Sequence, residues 1–246
     1  MQLVFQVLFI VVFVGALFLF TKRVKAIRRN IKLGKDDKPR NDRKGERWQQ
    51  VILFALGQKK MFKRPWPAIL HFAVYAGFIL INIEVLEIVI DGIFGSHRIF
   101  APVLGGFYTF LISFFEAMAV LVFLACVIFL WRRNVTKVPR FQSREMKGWP
   151  MLDGNLILIF EIILVGALVV MNAADLALQA RGAEHYAQTG SFLVSGLFYG
   201  LFEGMSDSSL VAIERTLWWM HIMGIFFFLN YVTYSKIGRA SCRERV

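Results

Sequence analysis

The chain has 246 residues, 57% of them apolar, with 25 phenylalanines and a formal charge of +12. Its apolar residues come in long blocks instead of a one-sided stripe, which excludes an ordinary soluble helical domain and calls for lipid or protein all around those blocks. The two cysteines, Cys126 and Cys242, fall in no metal-ligand spacing, so the sequence predicts neither an iron–sulfur cluster nor a structural zinc site in this chain.

Crossing a bilayer as a helix takes about 20 mostly apolar residues. Five stretches meet that need: 3–20, free of charge; 67–90, interrupted by Glu84 and Glu87; 107–131; 152–174; and 217–234. The first is too long for a signal-peptide core and has no basic residue before it, so it reads as a retained helix. Twelve Lys and Arg fall between Lys22 and Arg47 and six more between Arg132 and Lys147, whereas the connections 92–106 and 175–210 carry one each, Arg98 and Arg181. Basic connections stay in the cytoplasm. The sequence therefore predicts an all-α polytopic membrane helix bundle of five transmembrane helices, N-terminus outside and C-terminus inside, in one membrane domain over 1–236. Topology accounts for the positive charge, and no nucleic-acid partner is expected. The arm 22–47 reads as a solvated basic segment against anionic lipid, or else as a docking surface for a cytoplasmic partner.

Two further segments accompany the spans. Residues 48–60 (WQQVILFALGQKK) have the pattern of a short amphipathic helix in the cytoplasmic interface. The run 191–205 (SFLVSGLFYGLFEGM), broken by Gly196, Gly200 and Gly204, reads as a surface or re-entrant helix. The final ten residues, 237–246 (IGRASCRERV), resemble translated sequencing adapter and are read as a non-native tail, with the natural chain expected to continue past Lys236.

Ionisable groups are costly inside a bilayer, which makes each a functional candidate. His71 shares a helical face with Tyr75, Phe78 and Asn82, and His221 has Gly224 one turn away. Two imidazoles from different helices suit a six-coordinate b-type haem in a helix bundle; the alternative is an imidazole hydrogen-bonded to a neighbouring helix. The expected topology puts His71 near the inner face and His221 near the outer, so they are not expected to share one iron. Glu84, Glu87 and Glu116 fall in the outer halves of their spans and Glu161 in an inner half. Glu84 and Glu87, one turn apart, are placed to share a proton or to pair with Arg98.

The segment 217–236 (LWWMHIMGIFFFLNYVTYSK) resembles the last span of the respiratory nitrate reductase gamma-subunit family of membrane cytochromes b, which includes the membrane parts of heterodisulfide-reductase-related iron–sulfur oxidoreductases. In that family a histidine is followed fourteen residues later by a Ser-Lys/Arg pair, matched here by His221 and Ser235-Lys236. A second haem histidine follows eighteen residues after the first, at the position of Arg239 in the adapter-like tail.

The resemblance implies a membrane subunit or domain, in a bacterial inner membrane, that passes electrons between the quinone pool and cytoplasmic iron–sulfur centres of a partner domain or subunit. It implies one or two haems b, with His221 ligating the outer haem and His71 the inner, together with a quinone pocket. The family's second-span partner of His221 corresponds to Ile81, so either one haem is bound or His97 supplies the ligand; His97 reads otherwise as a loop histidine. Glu84, Glu87 and Glu116 become candidate proton acceptors from quinol, or else carboxyls bonded to neighbouring helices. His185 reads as exposed. The alternative function is a haem-free membrane anchor or a small proton or solute transporter whose histidines and glutamates line a path. In intact cells a membrane-impermeant maleimide is expected to label Gly182→Cys from outside and Lys32→Cys only after permeabilisation; the reverse pattern overturns the orientation.

Overall fold

The structure, a computed structural model, describes residues 2–34, 42–59, 61–139, 143–144 and 147–235. The tail 237–246, Lys236 and the position of Arg239 lie outside the described residues.

Five long helices carry the fold. Helix α1 is Gln2–Ile31; a short α2, Lys44–Gln50, continues as a π-helical turn, Val51–Leu56, none of it buried; α3 is Pro65–Phe94. A single turn, α4 (Ala101–Leu104), precedes α5, Gly106–Asn134, and α6 is Trp149–Ala180. The apolar run after it forms only the short α7, Ser195–Phe198, and a 3-10 turn, Tyr199–Phe202, before α8, Asp207–Val232. Four of the five expected stretches lie within α1, α3, α5 and α6, and the fifth, 217–234, overlaps α8 up to Val232; all five helices are long and apolar enough to cross a membrane. The protein is an integral membrane helix bundle.

The helix ends are written locally. Pro65 and Pro67 sit in the first turn of α3, where a missing N–H costs nothing, and Gly95 ends the helix in the left-handed region at φ +68°. Ser206 caps α8, its Oγ accepting the Ser209 N–H at 3.3 Å. The helix thus begins ten residues before the expected span 217–234. The first turns of α8 carry Asp207, Glu214 and Arg215, which a hydropathy pattern discards, yet Glu214 is buried against partners and the helix runs through them. His221 consequently lies near the middle of its helix, not near the outer end.

Neighbouring helices form a circuit in the order α3, α5, α6, α8, with α1 packed between α8 and α3. Because successive long helices run antiparallel, the basic connections gather at one end of the bundle, and the segments 92–106 and 175–206 gather at the other, hereafter the far end. Close approach of α8 to α6 depends on Gly224, where an added Cβ would fall 2.5 Å from Leu164 Cδ2. The lipid-facing surface is apolar. Helix α1 is the least enclosed member, with Phe9 and Ala16 as its buried apolar residues.

The far end is held by a buried polar network. Arg98, 7% exposed, adopts φ +51° in the turn after α3, fixed by its own N–H donating to Asp91 Oδ2 at 2.7 Å. Its guanidinium donates to Asp175 Oδ2 on α6 at 2.6 Å, to Asn172 Oδ1 at 2.9 Å and to Tyr108 Oη on α5 at 3.1 Å. One cation thus ties α3, α5 and α6 together. Removing one member of a buried pair leaves the other charge uncompensated, at about 3–5 kcal/mol. Arg98→Ala is expected to lower the thermal midpoint of the detergent-purified chain far more than Arg181→Ala, whose Asp207 partner is mostly exposed. Equal small shifts would show that the far end does not depend on Arg98.

Candidate functional site

Three sets of candidate side chains occupy different depths. The deepest surrounds His221, which is 5% exposed. Its Nδ1 lies 3.0 Å from the Leu164 carbonyl oxygen of α6, so that nitrogen carries the proton and donates, and the ring is fixed with Nε2 as a free lone pair. Nε2 is buried without a hydrogen-bond partner. It belongs to the wall of a cavity of about 140 Å³ among α3, α5, α6 and α8. Phe78, Ile81 and Asn82 of α3 face it, with Glu161 of α6 and Phe228 of α8.

An oriented imidazole whose other nitrogen is bonded to a carbonyl is the arrangement found at metal-ligating histidines. The donor set is incomplete, however. The described residues bring one imidazole to this cavity, with Ile81 also in its wall, and the volume is below the about 300–1,000 Å³ of usual small-molecule pockets. The chain's own described residues therefore fit one axial position of a haem and do not build a pair.

His71 is elsewhere. It is exposed on α3, while the His221 cavity begins at Val74 and is centred on Phe78–Asn82. Seven to eleven residues of helix separate His71 from that level, about 10–16 Å by helical rise. The two histidines stand at different depths, by less than a bilayer's thickness.

His97 has both ring nitrogens engaged: Nδ1 accepts the Ala187 N–H at 3.2 Å, and Nε2 is 3.2 Å from Asp175 Oδ1. Tyr186 packs edge-on against its ring at 4.9 Å.

The glutamates are distributed along the far-end network. Glu87 accepts from Tyr108 Oη at 2.6 Å and from the Phe100 N–H at 3.0 Å, so it reaches Arg98 through Tyr108 instead of pairing with it directly. Glu116, fully buried, accepts from Asn172 Nδ2 at 3.1 Å and from the Val194 and Ser195 N–H groups at 2.8 and 3.0 Å, holding the segment before α7 onto α5. Glu84 is buried, with Oε2 unpartnered, at a cavity of about 30 Å³ shared with Glu87, Asp175, Glu214, His97 and Arg98. That is room for about one water.

Asp91, Tyr108, Asn172, Asp175, Tyr186 and Glu214 were absent from the sequence-based candidates. Asp175 sits one residue beyond the expected fourth span, and Glu214 three residues before the fifth, each cut off by the hydropathy boundary. The available signal was charge matching: Arg98 is the one basic residue of its connection and needs a buried anion.

Outside the helices, three groups have displaced proton affinities. Burial alone would lower the Arg98 guanidinium, but Asp175, then Tyr108 and Glu84, raise it well above its ordinary value. Burial pushes Tyr186 up, helped by Glu214. His185 is exposed, as expected, yet partial burial of its ring lowers it, and Arg215 lowers it further.

No family model matches the chain, and no solved structure matches it. Among curated proteins it is 27% identical over 229 residues to a probable iron–sulfur-binding oxidoreductase, FadF, of Bacillus subtilis strain 168. The alignment covers 93% of this chain and 30% of that protein, so the chain spans less than a third of the relative's length. The resemblance is to an oxidoreductase and extends nearly throughout the membrane bundle.

His185 gives this site a pH dependence of definite sign. Folding weakens its proton binding, so the contribution of the neutral ring is complete above the ordinary value of 6.5 and is lost as pH falls from there toward the lowered folded value. Between pH 7.5 and 5.0 the thermal midpoint of His185→Gln is expected to fall less than that of the parent; parallel falls would remove His185 from the pH response.

Proposed function

We propose that the chain is the membrane part of an iron–sulfur oxidoreductase, embedded in a bacterial cytoplasmic membrane with its N-terminus outside, and that it passes electrons between quinone and cytoplasmic iron–sulfur centres. The observation that carries this reading is the oriented, buried and unpartnered Nε2 of His221 in an apolar cavity between four helices. The similarity to a much longer iron–sulfur oxidoreductase along 93% of the chain supports it. A b-type haem would supply one-electron transfer at membrane depth, and His221 would hold one of its axial positions. The residues of this chain then have definite tasks: the Leu164 carbonyl holds the His221 tautomer, Gly224 keeps α6 and α8 close, and Phe78, Ile81 and Phe228 exclude water. No second ligand is assigned among the described residues.

A second reading, a haem-free anchor or a small proton or solute transporter, is favoured by a different observation. The bundle contains one imidazole, not two, in the His221 cavity, and its largest polar investment is the far-end network of Arg98, Asp175 and the glutamates. Taken alone, the helix geometry supports this reading more directly; the oxidoreductase similarity tips the balance toward electron transfer.

Dithionite-reduced minus oxidised spectra of membranes containing the chain separate the two. The electron-transfer reading expects a b-type α-band that His221→Ala removes or reduces by more than about fivefold, while Ile81→His strengthens it by completing the pair. Membranes with no such band, or with a band indifferent to His221→Ala, establish the haem-free reading.

A further inference from the structure

At the basic end of the bundle α1 is longer than a membrane requires. Its 30 residues rise about 45 Å, against about 30 Å of hydrocarbon, so its last turns stand at headgroup level and beyond. The charge-free run stops before Lys22. Lys22, Arg23, Lys25, Arg28, Arg29 and Lys32 follow, with no Asp or Glu between Thr21 and Gly34. Of these, Lys22, Lys25 and Arg29 are exposed along one face of the helix.

Arg23 stands apart from them. It is half-buried, and its Cζ lies 4.5 Å from the centroid of the Tyr234 ring, just past the end of α8. That cation–π contact joins two helices at the level where the apolar run ends. Yet the guanidinium donates to no described residue, and its Nε is buried without an acceptor. Other enclosed arginines are satisfied: Arg133 donates to Asn155 Oδ1 at 2.9 Å and to the Met151 carbonyl at 3.1 Å, and Arg98 has its partners on α5 and α6. Asp153, a carboxylate buried at this end, is already taken by Tyr231 Oη and by Ser235 Oγ, the latter at 2.8 Å. A guanidinium drawn partly out of water without an acceptor is costly. It needs an oxygen anion from outside the described residues.

Position decides the class of anion. Leu19, one turn nearer the bilayer centre than Arg23, is 55% exposed. An anion that carries acyl chains covers that flank while its phosphate reaches the guanidinium, whereas free phosphate gains nothing from it. The planar fork of Arg matches phosphate oxygens, and the neighbouring lysines favour a lipid of net negative charge.

We propose that the seam between the basic ends of α1 and α8 binds one anionic phospholipid, its phosphate accepting from the Arg23 guanidinium and its acyl chains lying along Leu19. The lipid then acts as a staple. Helix α1 is the least enclosed of the five, and near this end it is tied to α8 through the Asn230 side-chain N–H, donated to the Ala16 carbonyl at 3.3 Å, and through Arg23 on Tyr234.

The test is native mass spectrometry of the full chain released from nanodiscs of phosphatidylcholine mixed with phosphatidylglycerol. The parent is expected to retain one phosphatidylglycerol in preference to phosphatidylcholine, and Arg23→Gln to reduce that retention at least about fivefold. Arg28→Gln, which removes the same charge from the same helix, is expected to leave it intact. In the same membranes phosphatidylglycerol is expected to raise the thermal midpoint of the parent and of Arg28→Gln, but not that of Arg23→Gln; circular dichroism checks that each variant is folded. Equal losses in the two variants would mean a diffuse charge effect and overturn the site. So would a parent with no preference for phosphatidylglycerol. Displacement of the lipid by inorganic phosphate would make this a free-anion site, and displacement by a poly-glutamate peptide would make it a protein-docking surface; either overturns the lipid assignment.

Discussion

The far end of this bundle depends on a single cation placed where a membrane protein least tolerates one alone. Arg98 is turned inward by a left-handed backbone conformation, and its guanidinium is shared among Asp175, Asn172 and Tyr108. From these three the network extends to Glu87, Glu116 and the segment before α7. Each hydrogen bond in it gains from low local dielectric, and each would be costly if its partner were lost. The position of α3 relative to α5 and α6, and hence the shape of the small far-end cavity, follows from that constraint.

The same constraint separates two kinds of chemistry. The His221 cavity is apolar, central and lined by rings and branched side chains, with one oriented nitrogen facing it. The small far-end cavity is lined by Glu84, Glu87, Asp91, Asp175 and Glu214 with His97 and Arg98. Electron carriers need a dry, shaped site, while proton-linked chemistry needs groups in contact with water. On α8 less than one helical turn separates them: Trp218 borders the small cavity beside Glu84, and His221, three residues later, the central cavity.

Much of the architecture was legible because spanning helices obey a length and polarity rule that few other sequences satisfy. The five long apolar helices and the failure of 191–205 to form a sixth follow from it, whereas the helix expected over 48–60 starts earlier, at Lys44, and ends in a π-helical turn at Leu56. What the pattern hid was polar residues at helix ends. Asp175 and Glu214 sit where an apolar window stops, and hydropathy treats a neutralised, buried carboxylate like an exposed one. His221 was visible as a histidine in an apolar run, but its place near the middle of α8 was not, because the start of α8 was hidden. The link between Glu87 and Arg98 through Tyr108 was not readable at all, since it joins residues on separate helices whose rotation the sequence does not specify. Ile81 was identified from the resemblance as the residue standing where a partner histidine would be, and the structure places it on the wall facing His221.

Helix α1 closes the circuit by touching two helices made at very different times. Phe9 packs against Trp218, Trp219 and Phe226 of α8 and meets Gly92 of α3. Half of the docking surface of α1 is encoded more than 200 residues after it. Its seam with α8 therefore cannot form until α8 has been made.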